Sequence, residues 1–275
     1  MTGAMTDQSA GKPRIDPTDL IVEVRNLKTA FGSHVIHDGL DLEVRRGEIL
    51  GVVGGSGTGK SVLLKTIIGL IKPARGVIHI NGVYQAGLSG EEERASRRDW
   101  GVLFQDGALF SSLTVAQNVQ VPLREHFKFK TDLLNDLAVS KITMAGLPEE
   151  AAAKFPSDLS GGMRKRAALA RSLALDPKIV FLDEPTAGLD PIGAAAFDSL
   201  VKQLSQSLGL TVFLVTHDLD TLFTVCDRVA VLGDKKILIN APLKDVMEFD
   251  HPWVQEYFKG PRARAAVETA NKGAA

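Results

Sequence analysis

Apolar positions between Leu20 and Val44 are spaced as strands. Ile21, Val22 and Val24 lead in, Gly32-Ser33 offers a turn, and Val35-Ile36, Leu40, Leu42 and Val44 resume the run. Gly47 breaks it, and Ile49-Leu50-Gly51-Val52-Val53 then has the almost wholly apolar pattern of a strand covered on both faces in a parallel sheet. A glycine-rich stretch follows at once. Beyond it Leu63, Leu64, Ile67, Ile68 and Ile71 recur at helical spacing, which predicts a helix lasting until Pro73 and Gly76.

The pattern changes between about Val115 and Pro156, where glycines thin out and Leu133, Leu134, Leu137, Val139, Ile142 and Met144 predict a helical insert. Alternation then returns: helix Gly161 to Leu175, strand Ile179 to Leu182, helix Ile192 to Leu208, strand Thr211 to Val215, helix Leu219 to Cys226, strand Arg228 to Leu232. Such alternation predicts an α/β fold with a mostly parallel, helix-covered core sheet. An antiparallel β region precedes it and a helical subdomain, about 115–160, interrupts it. The expected organisation is a loose leader over 1–19, one domain over 20–250, and a C-terminal helix with an Ala-rich tail over 251–275.

Composition narrows the function. Among 275 residues, 32 Lys and Arg face 33 Asp and Glu, so no global positive field attracts nucleic acid. The lone Cys226 cannot form an internal disulfide or a cysteine zinc site and reads as a small buried hydrophobe. No apolar run approaches the roughly 20 residues of a membrane span, and the N-terminus has no apolar segment of secretory type. These features suit a cytoplasmic protein.

Gly54-Gly55-Ser56-Gly57-Thr58-Gly59-Lys60-Ser61 fits G-x-x-x-x-G-K-[ST] between a predicted strand and a predicted helix. Glycines let successive N–H groups point into one concavity, and the helix N-terminus adds partial positive charge. Lys60 would reach the β- and γ-phosphates of a nucleotide, and the Ser61 hydroxyl would bind Mg²⁺. Ile179 to Leu182 then presents Asp183 and Glu184 at a strand's C-terminal end, where α/β sheets hold ligands. Asp183 would hold Mg²⁺ and Glu184 would polarise a water aimed at the γ-phosphate.

Leu159-Ser160-Gly161-Gly162-Met163 opens a helix running through Arg164-Lys165-Arg166. It resembles the signature of the ATP-binding cassette (ABC) ATPases, with Met163 where glutamine is usual. The resemblance spans about Leu20 to Asn240 and implies that family's fold and ATP hydrolysis with ATP and Mg²⁺. It also implies further roles: Gln105 as the Q-loop glutamine touching Mg²⁺ and the attacking water, Gly188-Leu189-Asp190 as the D-loop, His217 as the switch histidine, and Phe31 as the aromatic on adenine. In that family Ser160, Gly161, Gly162 and Asp190 act in trans, so a homodimer is implied.

Phe104-Gln105-Asp106-Gly107-Ala108-Leu109-Phe110, then Leu113-Thr114-Val115, Asn118-Val119 and Val121-Pro122-Leu123-Arg124-Glu125-His126, with the Ser-Gly-Gly-Met signature and the basic Arg164-Lys165-Arg166 stretch, resemble the ATPases of the bacterial Mla phospholipid transporters. That resemblance implies a peripheral subunit on the cytoplasmic face of the inner membrane. Its partners would be permease subunits, a lipid-binding MCE-domain protein and a small STAS-domain protein, and its task phospholipid transport that maintains outer-membrane lipid asymmetry. Two other readings compete. One is the same engine on a permease for amino acids or metal ions. The other is a soluble cassette protein on the ribosome or DNA, whose usual second cassette or coiled-coil insertion is not visible here. At the C-terminus, Trp253, Tyr257 and Phe258 either pack on their own domain or reach a neighbouring protomer. The second alternative makes this segment matter more to assembly than to folding.

Overall fold

A computed structural model describes residues 19–260; residues 1–18 and 261–275, where the expected leader and tail fall, lie outside it. Two sheets organise the chain. The first is antiparallel and built from β1 (Leu20–Phe31), β2 (His34–Arg45), β4 (Arg75–Ile80) and β5 (Val83–Tyr84) in the order β2-β1-β4-β5. Gly32 and Ser33 make the predicted turn between β1 and β2, with Gly32 at φ 58°, a conformation that suits glycine.

The second sheet has the order β10-β9-β3-β8-β7-β6, from β10 (Lys236–Pro242), β9 (Arg228–Gly233), β3 (Ile49–Gly54), β8 (Thr211–Val215), β7 (Ile179–Asp183) and β6 (Trp100–Leu103). All its pairings are parallel except that of β10. Every residue of β3, β7 and β8 is buried, as their unbroken apolar runs predict for strands covered on both faces. Burying each such Val, Leu or Phe side chain contributes about 1.5–3 kcal/mol.

Helices cover both faces: α1 (Lys60–Ile67), α5 (Gly161–Ser172), α6 (Pro191–Leu208) and α7 (Leu219–Val225). α7 lies so close to β3 that a Cβ at Gly51 would stand 2.7 Å from Leu222 and 2.8 Å from Cys226 Sγ. Cys226 is thus a packing residue, half-buried, and burial pushes its thiol well above the usual range. The helical insert comprises α3 (Val115–His126) and α4 (Thr131–Met144), followed by 3₁₀ turns at Glu149–Ala153 and Pro156–Asp158. It has an apolar core of its own, including Val119, Leu123, Leu134 and Ile142. Thr114 opens α3 with a capping box to Gln117.

Two features depart from the periodicity. The predicted helix through Ile71 ends at Ile67, because Gly69 turns left-handed at φ 79° and releases the chain. The stretch 75–103 yields β4, β5, α2 (Gly90–Arg97) and β6, none of which the pattern announces. At the C-terminus α8 (Leu243–Glu248) and α9 (Pro252–Lys259) pack beside β9 and β10, with Val254 and Phe258 inside a core that includes Val53, Val229 and Val231. In this chain the aromatics of α9 therefore rest on their own domain. Deleting the helix removes core side chains, so folding of the monomer depends on it as well as any contact it makes outside.

Candidate functional site

β3 delivers the chain to the glycine loop and α1 carries it away. Gly54 cannot be replaced without movement, since a Cβ there would stand 2.3 Å from the Leu232 carbonyl oxygen. Gly59 caps α1 at φ 99° and contributes no side-chain cap, so the first amides of the helix stay directed into the loop, where an anion can take them. Lys60 folds back over the loop, its Nζ donating to the carbonyls of Gly54 (2.9 Å) and Gly55 (3.1 Å). Thr58 Oγ1 donates to the Gly55 carbonyl at 2.9 Å. Burial pulls the Lys60 ammonium below its ordinary value, countered by Glu184 and Asp183.

β7 ends on the two carboxylates. Asp183 is buried and accepts a hydrogen bond from Ser61 Oγ at 2.9 Å; burial holds its carboxyl above the usual range, offset by the Ser61 bond and Lys65. Ser61 and Asp183 are hard oxygen donors, the set that suits Mg²⁺ when phosphate and water supply the remaining ligands. Among the described residues, no group of three or more His, Cys, Asp or Glu forms a metal cage.

Glu184 sits at φ 49°, an uncommon conformation for a non-glycine residue and one that costs energy at a functional position. The Glu184 amide donates to the Val215 carbonyl, and Glu184 Oε2 lies 2.7 Å from His217 Nδ1. The spacing of 33 residues between them does not reveal this pair; β7 and β8 lie side by side, and their ends bring it together. His217 stays largely open to solvent while Glu184 is mostly covered.

Among the described residues, Gln105 makes no side-chain hydrogen bond to this cluster. It is exposed, and its backbone carbonyl is what the fold holds, by accepting from Lys165 Nζ. Lys165 also donates to the Glu184 carbonyl at 3.3 Å, so one buried lysine ties the loop after β6 to the end of β7. Arg171, one helical stretch further on, holds the Gly107 and Ala108 carbonyls at 2.8 and 2.6 Å. Neither role shows in the basic run, although Lys165 shares the apolar face of α5 with Ala168, Leu169 and Ser172, and a charged residue there is the available signal.

Phe31 is half exposed and closes the β1–β2 hairpin opposite His34. Three residues on, His37 lies fully buried beneath the loop, its Nε2 2.8 Å from where a Gly59 Cβ would stand. The stretch of β2 that follows the hairpin turn thus lies against the glycine loop.

The remaining expected residues form a second group. Ser160 is exposed and caps α5 by accepting from the Met163 amide at 3.3 Å; Asp190 is exposed and caps α6 by accepting from the Gly193 amide at 2.9 Å. Leu189 packs beside Gly161 and Gly162, each of which would place a Cβ 3.9 Å from its Cδ2. Signature and D-loop thus share one outward face, and neither Ser160 nor Asp190 hydrogen-bonds to the glycine loop of its own chain.

Residues 37–187 match the family model described as ABC transporter. The chain is 40% identical over 246 residues to the probable ribonucleotide transport ATP-binding protein mkl of Mycobacterium leprae, covering 90% of this chain and 71% of that one. It is 38% identical over 240 residues to the intermembrane phospholipid transport system ATP-binding protein MlaF of Haemophilus influenzae, covering 87% and 90%. Among solved structures, a dimeric ATP-binding cassette in a post-hydrolysis state bound to ADP and Pi aligns at TM-score 0.73 and 31% identity, covering 81% of this chain and 98% of that one. The cbiO1 protein of Clostridium perfringens, part of an ABC transporter complex, aligns at 0.75 and 29%, covering 91% and 99%.

Proposed function

The chain belongs to the ABC transporter family as an ATP-binding-cassette ATPase, and from that premise we propose that it energises phospholipid transport between the inner and outer membranes of a bacterial envelope. The observation that carries this reading is the likeness to MlaF along nearly the full length of both chains. Among the described residues no helix is long and apolar enough to cross a membrane, so contact with the bilayer would come through permease subunits on the cytoplasmic face of the inner membrane. An MCE-domain lipid carrier and a STAS-domain protein complete the assembly we propose.

In this reading the amides of Gly55 to Lys60 and the Lys60 ammonium bind the β- and γ-phosphates, and Phe31 covers adenine. Ser61 and Asp183 would hold Mg²⁺, with Gln105 as a further contact, and the ion would supply positive charge to neutralise the phosphate oxygens. Glu184 accepts a proton from the attacking water, and its 2.7 Å contact with His217 fixes the carboxylate and supplies a hydrogen-bonding group beside the γ-phosphate. Ser160, Gly161, Gly162 and Asp190 of one protomer close over the nucleotide of the other. Positioning and charge stabilisation supply most of the rate, because phosphoryl transfer asks for little covalent chemistry from the protein.

The test is purification of the tagged chain from its native host with its membrane partners, followed by protein identification and mass spectrometry of bound lipid. Phospholipid together with a permease and an MCE-domain protein is the expected result. A permease carrying ribonucleotide, as the mycobacterial relative's name would suggest, or one for amino acids or metal ions, rejects the phospholipid assignment and leaves the ATPase standing.

A further inference from the structure

Helix α9 reaches two loops of the site at once. Tyr257 Oη donates to the His217 carbonyl at 2.9 Å. One turn earlier Trp253 stacks on the Tyr257 ring, with centroids 4.7 Å apart and planes 15° from parallel, and its Nε1 lies 3.4 Å from where a Gly55 Cβ would stand. The helix is anchored on its other side, since Val254 and Phe258 are buried in the core beneath. An i, i+4 pair on a fixed helix therefore spans from the glycine loop to the loop that carries His217.

We propose that Trp253 and Tyr257 are positioning residues for ATP hydrolysis, Trp253 backing the glycine loop at Gly55 and Tyr257 fixing the backbone of the switch histidine. The inference rests on the ATPase reading above. Burial, with Asp218 and Glu184 nearby, holds the Tyr257 hydroxyl far above its ordinary range, so it remains a donor at any working pH. The loop it holds has few other restraints: the Thr216 amide reaches the Val52 carbonyl at 3.3 Å, and Asp218 bonds only within the loop and to the first turn of α7. Losing the Tyr257 bond would free the His217 ring to leave Glu184 without disturbing the phosphate contacts.

The two residues thus act on different kinetic constants. In the full-length chain assembled with its permease, Tyr257→Phe, which removes only the hydroxyl, is expected to lower kcat about three- to tenfold with the ATP KM within about twofold. Trp253→Leu is expected to raise the ATP KM by a similar factor with kcat within about twofold, and Trp253→Phe, which keeps a ring on Tyr257, to restore it. Thermal melting of each variant accompanies the kinetics. Wild-type kcat in Tyr257→Phe overturns the proposal, as do equal losses in kcat and KM that track a fall in melting temperature. Glu184→Gln measured alongside separates the two readings: wild-type turnover there rejects the Glu184–His217 chemistry on which the inference rests, whereas wild-type turnover in Tyr257→Phe alone sinks only the positioning role.

Discussion

The phosphate-loop half of the site and the signature half are built in opposite ways. In the first, side chains from three parallel strands and their loops satisfy one another within the chain: Ser61 with Asp183, Glu184 with His217, Lys60 with its own loop. In the second, Ser160 and Asp190 bond only to the helix each one caps and otherwise face outward. On the proposed function, one chain would complete a nucleotide cradle and leave half of a lid, and the difference assigns binding to the protomer and hydrolysis to a pair.

The strongest way to break that division is Glu184→Gln, expected to slow hydrolysis by ~100-fold or more while ATP still binds, because the amide keeps the shape but cannot take the proton. Near-normal turnover in the assembled transporter would reject Glu184 as the base. Lys60→Ala should act on affinity, weakening ATP binding about ten- to a hundredfold, as expected for loss of a charge-assisted phosphate contact; unchanged binding by calorimetry would remove Lys60 from the cradle. Ser160→Arg sharpens the comparison from the other half. It should cut hydrolysis at least tenfold, a rough figure for one obstructed contact, and leave ATP affinity of the isolated chain within about twofold. Lost affinity at the level of the monomer would mean that Ser160 serves its own cradle.

The smallest net effect in the wild type comes from two buried titratable groups, one in each half, because their pH dependences oppose one another. Burial pushes His37, under the glycine loop, down to about 4 from 6.5. It is neutral when folded and gains a proton when unfolded, so its contribution to stability is full above pH 6.5 and is lost as pH falls toward 4. Asp198 lies on α6, whose first turn Asp190 caps, and accepts from Thr221 Oγ1 at 2.7 Å; burial, with Asp218 and Asp220 nearby, pushes it up to about 6 from 3.8. Its sign is reversed: the folded state holds the proton more tightly, so stability rises as pH falls from 6 toward 3.8. Each contribution is about 3 kcal/mol, and they oppose one another over nearly the same window. His37→Gln should make the chain resist acid better than wild type, and Asp198→Asn should make it resist less. Urea denaturation between pH 7 and 4 checks both, and coincident curves for all three proteins would refute the pairing.

What could be read in advance followed the strength of the local chemistry. β3, the glycine loop and the start of α1 were legible because few backbones other than a phosphate loop need glycine at 54, 57 and 59 and a lysine at 60 in that order. β7 and β8 were legible from unbroken apolar runs. The region 75–103 was silent for physical reasons: β4 is only half covered, and α2, Gly-Glu-Glu-Glu-Arg-Ala-Ser-Arg, has no apolar stripe to set a period. In the site, residue types and chain order named Asp183, Glu184 and His217, but their contacts arise from sheet neighbours far apart in sequence. Lys165 and Tyr257 stayed hidden because each acts through a backbone carbonyl, which leaves no mark in a motif.

The parallel pairing of β3 also has a consequence for synthesis. Ile49 stands in register with Val212, and Leu50 with Arg228. At about 5–20 residues per second, the ribosome takes on the order of ten to thirty seconds to add the partners that β3 needs on both edges. Throughout that interval the glycine loop hangs from a strand with no sheet around it, so a nascent chain cannot grip nucleotide until nearly all of its core has emerged. Retention of growing chains on immobilised ATP should therefore begin only once residue 233 has cleared the exit tunnel.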